Sequence, residues 1–392
     1  MLAQLSEERR MLVEALAGTV RRVSPVERVQ ALDNAKTFDA ELHAALSGIG
    51  IMGLGVPEAE GGSGGGATEQ MLALETLGNL ATSMAVFTVV QFMATRLLRE
   101  YGTAAQKARW LAPLCRGEIR CSFGLTEAGG GTDILSAMRT RARRGGDGWV
   151  LSGEKMWISG ATQADLLIAV ARTSDHRSRG VTLFLVPTAS PGFSATAIDT
   201  VAINGYDTCA VSFADVAVPG DMVLGRVDEG FAHVVATLNG ERLNCAGVAT
   251  GIARGAWQAA LDYAKERQAF GKSIGQFQAL QRHRIGLAAG AARGGGGRGR
   301  PAGRRRRVDG QIRRLAGGAA GDPCRHGDHG RRRVRPAFAD AALVPRCQAL
   351  RFRAAHQRHV AELSGRTLAR PAALVLSRLV RSDLEGCHRA SA

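Results

Sequence analysis

One stretch constrains this chain more than any other: Phe123 to Ser159, reading FGLTEAGGGTDILSAMRTRARRGGDGWVLSGEKMWIS. It opens like a strand, passes through a glycine-rich turn closed by Thr132 and Asp133, crosses a basic segment, and ends in a second strand-like run, Met156-Trp157-Ile158-Ser159. Glycine lets backbone come close to whatever lies beside it. No other part of the chain mixes glycines, hydroxyls and a large aromatic so densely.

The flanking sequence has a different period. Before it, apolar residues recur at helical spacing in Leu12-Val13-Leu16, in Phe38-Leu42-Ala45-Leu46 and from Met71 through Leu98, which predicts amphipathic helices packed on one another. Gly53-Leu54-Gly55-Val56-Pro57 and the glycine run 61–66 interrupt that period, and Thr68 with Glu69 restarts a helix. No Lys-Ser or Lys-Thr follows those glycines, so they do not make a phosphate loop and are expected to form a mobile loop. The middle of the chain reads as short strands: Trp149-Val150-Leu151, Leu166 to Val170 and Val181 to Val186 are β-branched or aromatic runs bounded by Gly, Pro, Asp or Ser. Gly145-Gly146-Asp147-Gly148 is a hairpin turn signal. Strands so short and so closely punctuated predict a small barrel or a sandwich. After Val218-Pro219-Gly220, a long apolar stripe from Phe231 to Arg267 returns to the helical period.

At 392 residues with 45% hydrophobic content, the chain can bury more than one core. It lacks a run of roughly 18 apolar residues, and charges fill the start where a signal peptide needs an apolar stretch, so a cytoplasmic location is expected. Seven cysteines, scattered and without short paired spacings, indicate neither a disulfide framework nor a metal site. The net charge of +16 is unevenly placed: residues 1–290 hold 28 Lys and Arg against 28 Asp and Glu, whereas the last 102 hold 23 Arg, no Lys and seven acidic residues.

Four segments together resemble the acyl-CoA dehydrogenase family: FGLTEAGGGTD at 123–133, GEKMWIS at 153–159, ERQAFGKSIGQFQALQ at 266–281, and GLGVPEAEGGSG near residue 55. Their order and spacing match, and the resemblance covers about residues 1–287. It implies an α+β chain with an N-terminal helical domain over 1–118, a central β-barrel over 119–222 and the start of a C-terminal helical bundle over 223–287. It also implies bound FAD, an acyl-CoA substrate, an external electron acceptor such as an electron-transfer flavoprotein, and a homodimer or homotetramer working in fatty acid oxidation and lipid metabolism.

The resemblance assigns roles residue by residue. Phe123, Leu125, Thr126, Gly131 and Thr132 would line the flavin, Trp157 would flank its ring, and Ser159 would bond near its reactive nitrogen; Thr132 would also face substrate. Taken singly, Phe123, Leu125 and Trp157 would serve as core fillers. Thr132 stands where the family usually has Ser, and Ala128 where it has Pro, and the hydroxyl is kept. Arg267, with Phe270 and Gln278, resembles the arginine segment that contacts the FAD diphosphate, usually of a neighbouring subunit. A guanidinium suits that group because it offers paired donors at fixed geometry.

Removing a proton beside a thioester needs a carboxylate opposite the flavin. The resemblance offers two places for it, a Glu-Arg pair early in the C-terminal helices or a Tyr-Glu-Gly-Thr-like motif near the C-terminus. The second is absent. Glu241 is therefore the candidate base, with Asn239 and Arg242 near substrate; the competing reading is an ion-pairing helix surface.

From about residue 288 the chain reads GAARGGGGRGRPAGRRRR and the helical stripe disappears. An Arg/Gly tail binding nucleic acid would be a non-enzymatic alternative, but no aromatic interleaves Arg293 to Arg306. Codons permitted for Gly327 through Arg335, read one nucleotide later, can spell a glycine-rich run like the family's flavin-contact segment. We read residues 288–392 as the product of a shifted reading frame, poorly ordered and lacking the last bundle helices. A family relative acting on a different substrate is the enzymatic alternative.

Overall fold

The computed structural model describes residues 5–176, 179–278, 280 and 281. The anomalous segment 288–392 lies outside the described residues. The chain divides into two compact units, Met1–Ala256 and Trp257–Ala392.

The first unit begins with helices: α1 (Glu7–Val23), α2 (Val26–Ala35), α3 (Ala40–Gly48), α4 (Ala67–Leu80) and α5 (Thr82–Tyr101), then the short α6 (Ala104–Gln106) and α7 (Ala112–Cys115) joined by a π-helical turn, Lys107–Leu111. Local chemistry sets several ends. The Ser6 hydroxyl accepts from the Arg9 N–H, with Glu7 and Glu8 in the first turn of α1 and Arg21 and Arg22 in its last, a charge order that complements the helix dipole. The Asp39 carboxylate caps α3 through the Leu42 N–H at 3.0 Å. The apolar faces meet in one core holding Leu16, Leu46, Met52, Leu74, Leu77, Phe87 and Phe92.

The glycine-rich stretch expected as a mobile loop is hydrogen-bonded on itself. Gly55 N–H donates to the Gly64 carbonyl and Gly64 N–H to the Val56 carbonyl, both at 2.8 Å, while the Gln70 amide donates to the Leu54 carbonyl at 2.7 Å. Its glycines serve tightness: a β-carbon at Gly62 would stand 2.1 Å from the Val56 carbonyl oxygen.

Next come β1 (Cys121–Gly124), a single helical turn α8 (Ile134–Ala137), then β2 (Arg141–Gly145), β3 (Gly148–Ser159), β4 (Leu166–Arg172), β5 (Val181–Pro187), β6 (Phe193–Ile198), β7 (Thr208–Val218) and β8 (Val223–Leu224). They form one eight-stranded sheet in the order β6-β7-β3-β2-β4-β5-β8, with β1 paired parallel to β4. β1 also lies against β3, and β5 approaches β7 although three strands separate them in that order. The sheet therefore curls over a shared core, as expected for the barrel domain. β4 is buried along its whole length and β5 up to its last residue, which explains their largely apolar sequences.

A long helix, α9 (Gly230–Glu266), follows. Within the first unit it crosses α4 almost backbone to backbone. Gly247, Gly251 and Gly255 recur every fourth residue on one α9 face, and a β-carbon at Gly251 would lie 2.1 Å from the Glu75 carbonyl oxygen. Beside that contact, Arg254 pairs with the buried Glu75 carboxylate.

In the second unit, β9 (Gln268–Ala269) and β10 (Lys272–Ser273) form a hairpin. Phe270 and Gly271 turn it, both with positive φ, 53° and 73°, the geometry that matches strand twist. No helix among the described residues is long and apolar enough to cross a membrane.

Candidate flavin and substrate site

The strand that starts the key stretch is fixed from the helical layer. The Gln91 side chain, buried on α5, donates to the Cys121 carbonyl and accepts from the Cys121 N–H, each at 2.9 Å. An amide side chain thus completes β1 as a neighbouring strand would, and aims Phe123 and Leu125 into the core that β4 and β5 fill.

The glycine-rich turn 126–133 then meets β3. The Met156 N–H donates to the Thr126 carbonyl at 2.9 Å. Gly131 is open: a β-carbon there would meet only Thr126 Cγ2, at 3.8 Å. Thr132 is exposed beside it. A cleft of about 560 Å³ runs along this turn, lined by Ala128, Gly129, Gly130, Arg139, Gly153 and Met156 among others.

Trp157 departs from strand geometry. The β3–β7 register shifts between Lys155 and Ile158, Trp157 takes φ 65°, and the residue is 58% exposed. A bulky non-glycine residue in the left-handed region carries backbone strain, and here the result is a large ring turned out of the core. Two residues on, the Ser159 carbonyl accepts two hydrogen bonds, from Ser122 Oγ at 2.8 Å and from the Tyr206 hydroxyl at 3.2 Å. Tyr206 is buried edge-on against Phe87, and burial pushes its phenol pKa up.

Under these residues lies an ion pair. Lys155 Nζ donates to Glu127 Oε1 at 2.8 Å and to the Leu125 carbonyl at 3.2 Å. Lys155 is 1% exposed and Glu127 7%. Both stand inside the motifs at 123–133 and 153–159 without being among the expected site residues. Alternation was the available signal: Trp149, Leu151 and Lys155 share the inward face of β3, so a lysine falls at a core position and requires a partner.

Glu241 sits on α9, half-buried. Burial pushes its carboxyl pKa up to about 7, opposed by a hydrogen bond from the Cys245 thiol and by the charge of Arg96. Cys245 Sγ lies 3.7 Å from Oε1, while the buried Oε2 has no hydrogen-bond partner among the described residues. Arg96 packs on the Gly240 backbone so closely that a β-carbon there would overlap its guanidinium. Arg242 is exposed, and Asn239 lies on the same helix with its side chain outside what is described.

The expected residues therefore fall into three groups. Phe123, Leu125, Thr126, Gly131, Thr132, Trp157 and Ser159 gather along β1, the glycine-rich turn and the end of β3. Glu241 and Arg242 share α9, where the groups facing Glu241 are Arg96 and Cys245. Arg267, Phe270 and Gln278 sit in the second unit, all exposed, Phe270 at 95%. Gln91, Ser122, Tyr206 and Arg96 were not expected, because their partners are distant in sequence and only folding brings them together.

Three family models match the chain: "Acyl-CoA dehydrogenase, N-terminal domain" over residues 6–118, "Acyl-CoA dehydrogenase, middle domain" over 122–216 and "Acyl-CoA dehydrogenase, C-terminal domain" over 228–293. A probable acyl-CoA dehydrogenase, YngJ, of Bacillus subtilis (strain 168) is 34% identical over 283 residues, covering 71% of this chain and 74% of the relative. Butyryl-CoA dehydrogenase from Megasphaera elsdenii superposes with a TM-score of 0.70 at 30% identity, covering 74% of this chain and 78% of that one. A glutaryl-CoA dehydrogenase from Mycobacterium smegmatis in complex with FADH2 superposes with a TM-score of 0.68 at 28% identity, covering 73% and 72%.

Proposed function

The chain belongs to the acyl-CoA dehydrogenase family, and on that premise we propose that it oxidises an acyl-CoA thioester to the α,β-unsaturated thioester using FAD. The observation that carries the reading is Trp157: an exposed ring held on a strained backbone, beside an open glycine turn to which its strand is hydrogen-bonded. A flat heteroaromatic group fits that combination, since the ring offers a face and the glycines allow close backbone approach. Thr126, Gly131 and Thr132 would hold its polar edge and Trp157 and Ser159 its ring, while the exposed Arg267 suits the diphosphate of a neighbouring subunit's FAD.

Glu241 takes the proton from the carbon α to the thioester. Its raised pKa makes the carboxylate a stronger base than an ordinary Glu, and its unpartnered Oε2 is the oxygen available for that proton. The electron pair of that C–H bond becomes the new double bond as hydride leaves the β-carbon. Bound FAD supplies the two-electron acceptor for the hydride. Arg242 and Asn239 lie one residue either side of Gly240-Glu241 and would contact substrate. Reoxidation would pass electrons to an external carrier such as an electron-transfer flavoprotein, and the parental protein, with its last bundle helices in frame, would act as a homodimer or homotetramer.

Flavin absorbance of the purified full chain tests the reading. Bleaching on anaerobic addition of acyl-CoA thioesters is expected; a colourless protein unable to take up FAD overturns it. The shifted frame from about residue 288 has its own test, resequencing of codons 285–295, where an unaltered frame sinks it.

A further inference from the structure

A lysine with its side chain wholly out of water needs a reason. Removing an ammonium and a carboxylate from water costs several kcal/mol each, and a buried ion pair often does no better for stability than apolar residues of the same volume. The pair between Glu127 and Lys155 is thus poorly explained as a source of stability. Its position explains it better.

Glu127 ties three separate segments. Its Oε1 accepts from Lys155 Nζ on β3 and from the Thr140 N–H at 3.0 Å, and its Oε2 from the Arg139 N–H at 2.5 Å. Lys155 reaches back to the Leu125 carbonyl. One carboxylate and one ammonium therefore fix both ends of the 125–140 loop to each other and to β3. Lys155 is also the last residue in register with β7 before the shift that turns Trp157 outward. Met156, between them, carries the N–H bonded to the Thr126 carbonyl. Charge keeps this arrangement engaged. Burial works to raise the Glu127 pKa, but the Lys155 charge and the hydrogen bonds overcome it, so the carboxyl is held below its usual range. Burial lowers that of Lys155, which the Glu127 charge opposes.

We propose that Glu127 and Lys155 are positioning residues for the flavin wall: their ion pair sets the glycine-rich turn and Trp157 at a fixed mutual spacing, which neither segment would keep alone. This rests on the reading that FAD binds along that wall. Because the pair makes no contribution that an apolar pair could not make to bulk packing, its loss should loosen the turn and leave the sheet intact.

The test uses full-length Lys155→Met, Glu127→Gln and the double variant, with two readouts. Amide hydrogen exchange without flavin should quicken in 126–140 and 153–159 while β4 and β5 keep wild-type protection. The FAD dissociation constant should rise about tenfold, the scale seen when outer-shell partners of a bound group are removed, and the visible circular dichroism of bound flavin should change. Should a single variant fail to fold because a lone charge is left buried, the double variant, which leaves none, still decides. Wild-type exchange and wild-type FAD affinity in the double variant overturn the proposal, as does loss of protection spread equally over β4 and β5. If the wild-type chain takes up no FAD, the functional reading falls while the exchange readout still judges the pair.

Discussion

Ser122 Oγ donates to the Ser159 carbonyl across 2.8 Å, joining the start of β1 to the end of β3 directly beneath the residues that would face the flavin. The Tyr206 hydroxyl shares that carbonyl. Ser122→Ala leaves the carbonyl one donor and should lower stability by about 1 kcal/mol. Tyr206→Phe should cost a similar amount, and the double variant more than the two together, because only it removes both side-chain donors from the half-buried carbonyl. Urea unfolding of the four proteins measures this.

Glu241 gives a prediction in which activity and stability move in opposite directions. Its folded pKa, about 7, is raised by burial, so the unfolded chain ionises first. Folding therefore loses stability as pH climbs from the ordinary carboxylate range towards 7, and the full penalty is present above 7. Glu241→Gln should match wild type in thermal unfolding near pH 4 and exceed it near pH 8, while losing dehydrogenation by orders of magnitude. Equal melting temperatures at both pH values would contradict the burial of this carboxyl.

The same group should shape the pH profile. A general base must be ionised before substrate is turned over, so kcat/KM should climb with pH and level off above about 7. Cys245→Ala removes the thiol that donates to the Glu241 carboxylate, and the inflection should move to higher pH. A profile flat from pH 5 to 9 would remove Glu241 from the role of base.

Two glycines separate the uses of that residue. Gly251 touches the Glu75 carbonyl, so Gly251→Ala should force α4 and α9 apart and cost about 1–3 kcal/mol. Gly18 lies in α1 with nothing within 4 Å of an added β-carbon, and Gly18→Ala should stabilise by about 0.5–1 kcal/mol. Denaturant midpoints of the two variants should fall on opposite sides of wild type.

Trp157 is strained and exposed, so little folding energy depends on its ring. Trp157→Ala should leave the denaturant midpoint of the flavin-free chain close to wild type and weaken FAD uptake, measured by flavin fluorescence quenching. A large loss of stability would instead mark the ring as part of the core.

The sequence by itself determined the class of each region. Short apolar runs bounded by turn residues, such as Leu166 to Val170, fit strands buried on both faces, and the stripes of 12–16, 38–46 and 71–98 fit helices with one face hidden, because side-chain direction repeats every two residues in one and every 3.6 in the other. The glycine-rich turn and the GEKMWIS run stood out as a candidate site for the same local reason: glycine, threonine and tryptophan offer there what their own atoms allow. Tertiary structure decided what lies under them. The Gln91 amide acting as a strand edge, the shared Ser159 carbonyl, the Lys155 ammonium on Glu127 and the Arg96 guanidinium against Gly240 all join residues 28 to 144 positions apart. The loop at 53–66 shows the converse. Its glycines look like freedom in one dimension and act as close contact in three, since only packing reveals that a β-carbon has nowhere to go. Local periodicity names the elements; the partners of a buried charge or carbonyl are set by which elements the core brings within 3 Å of each other.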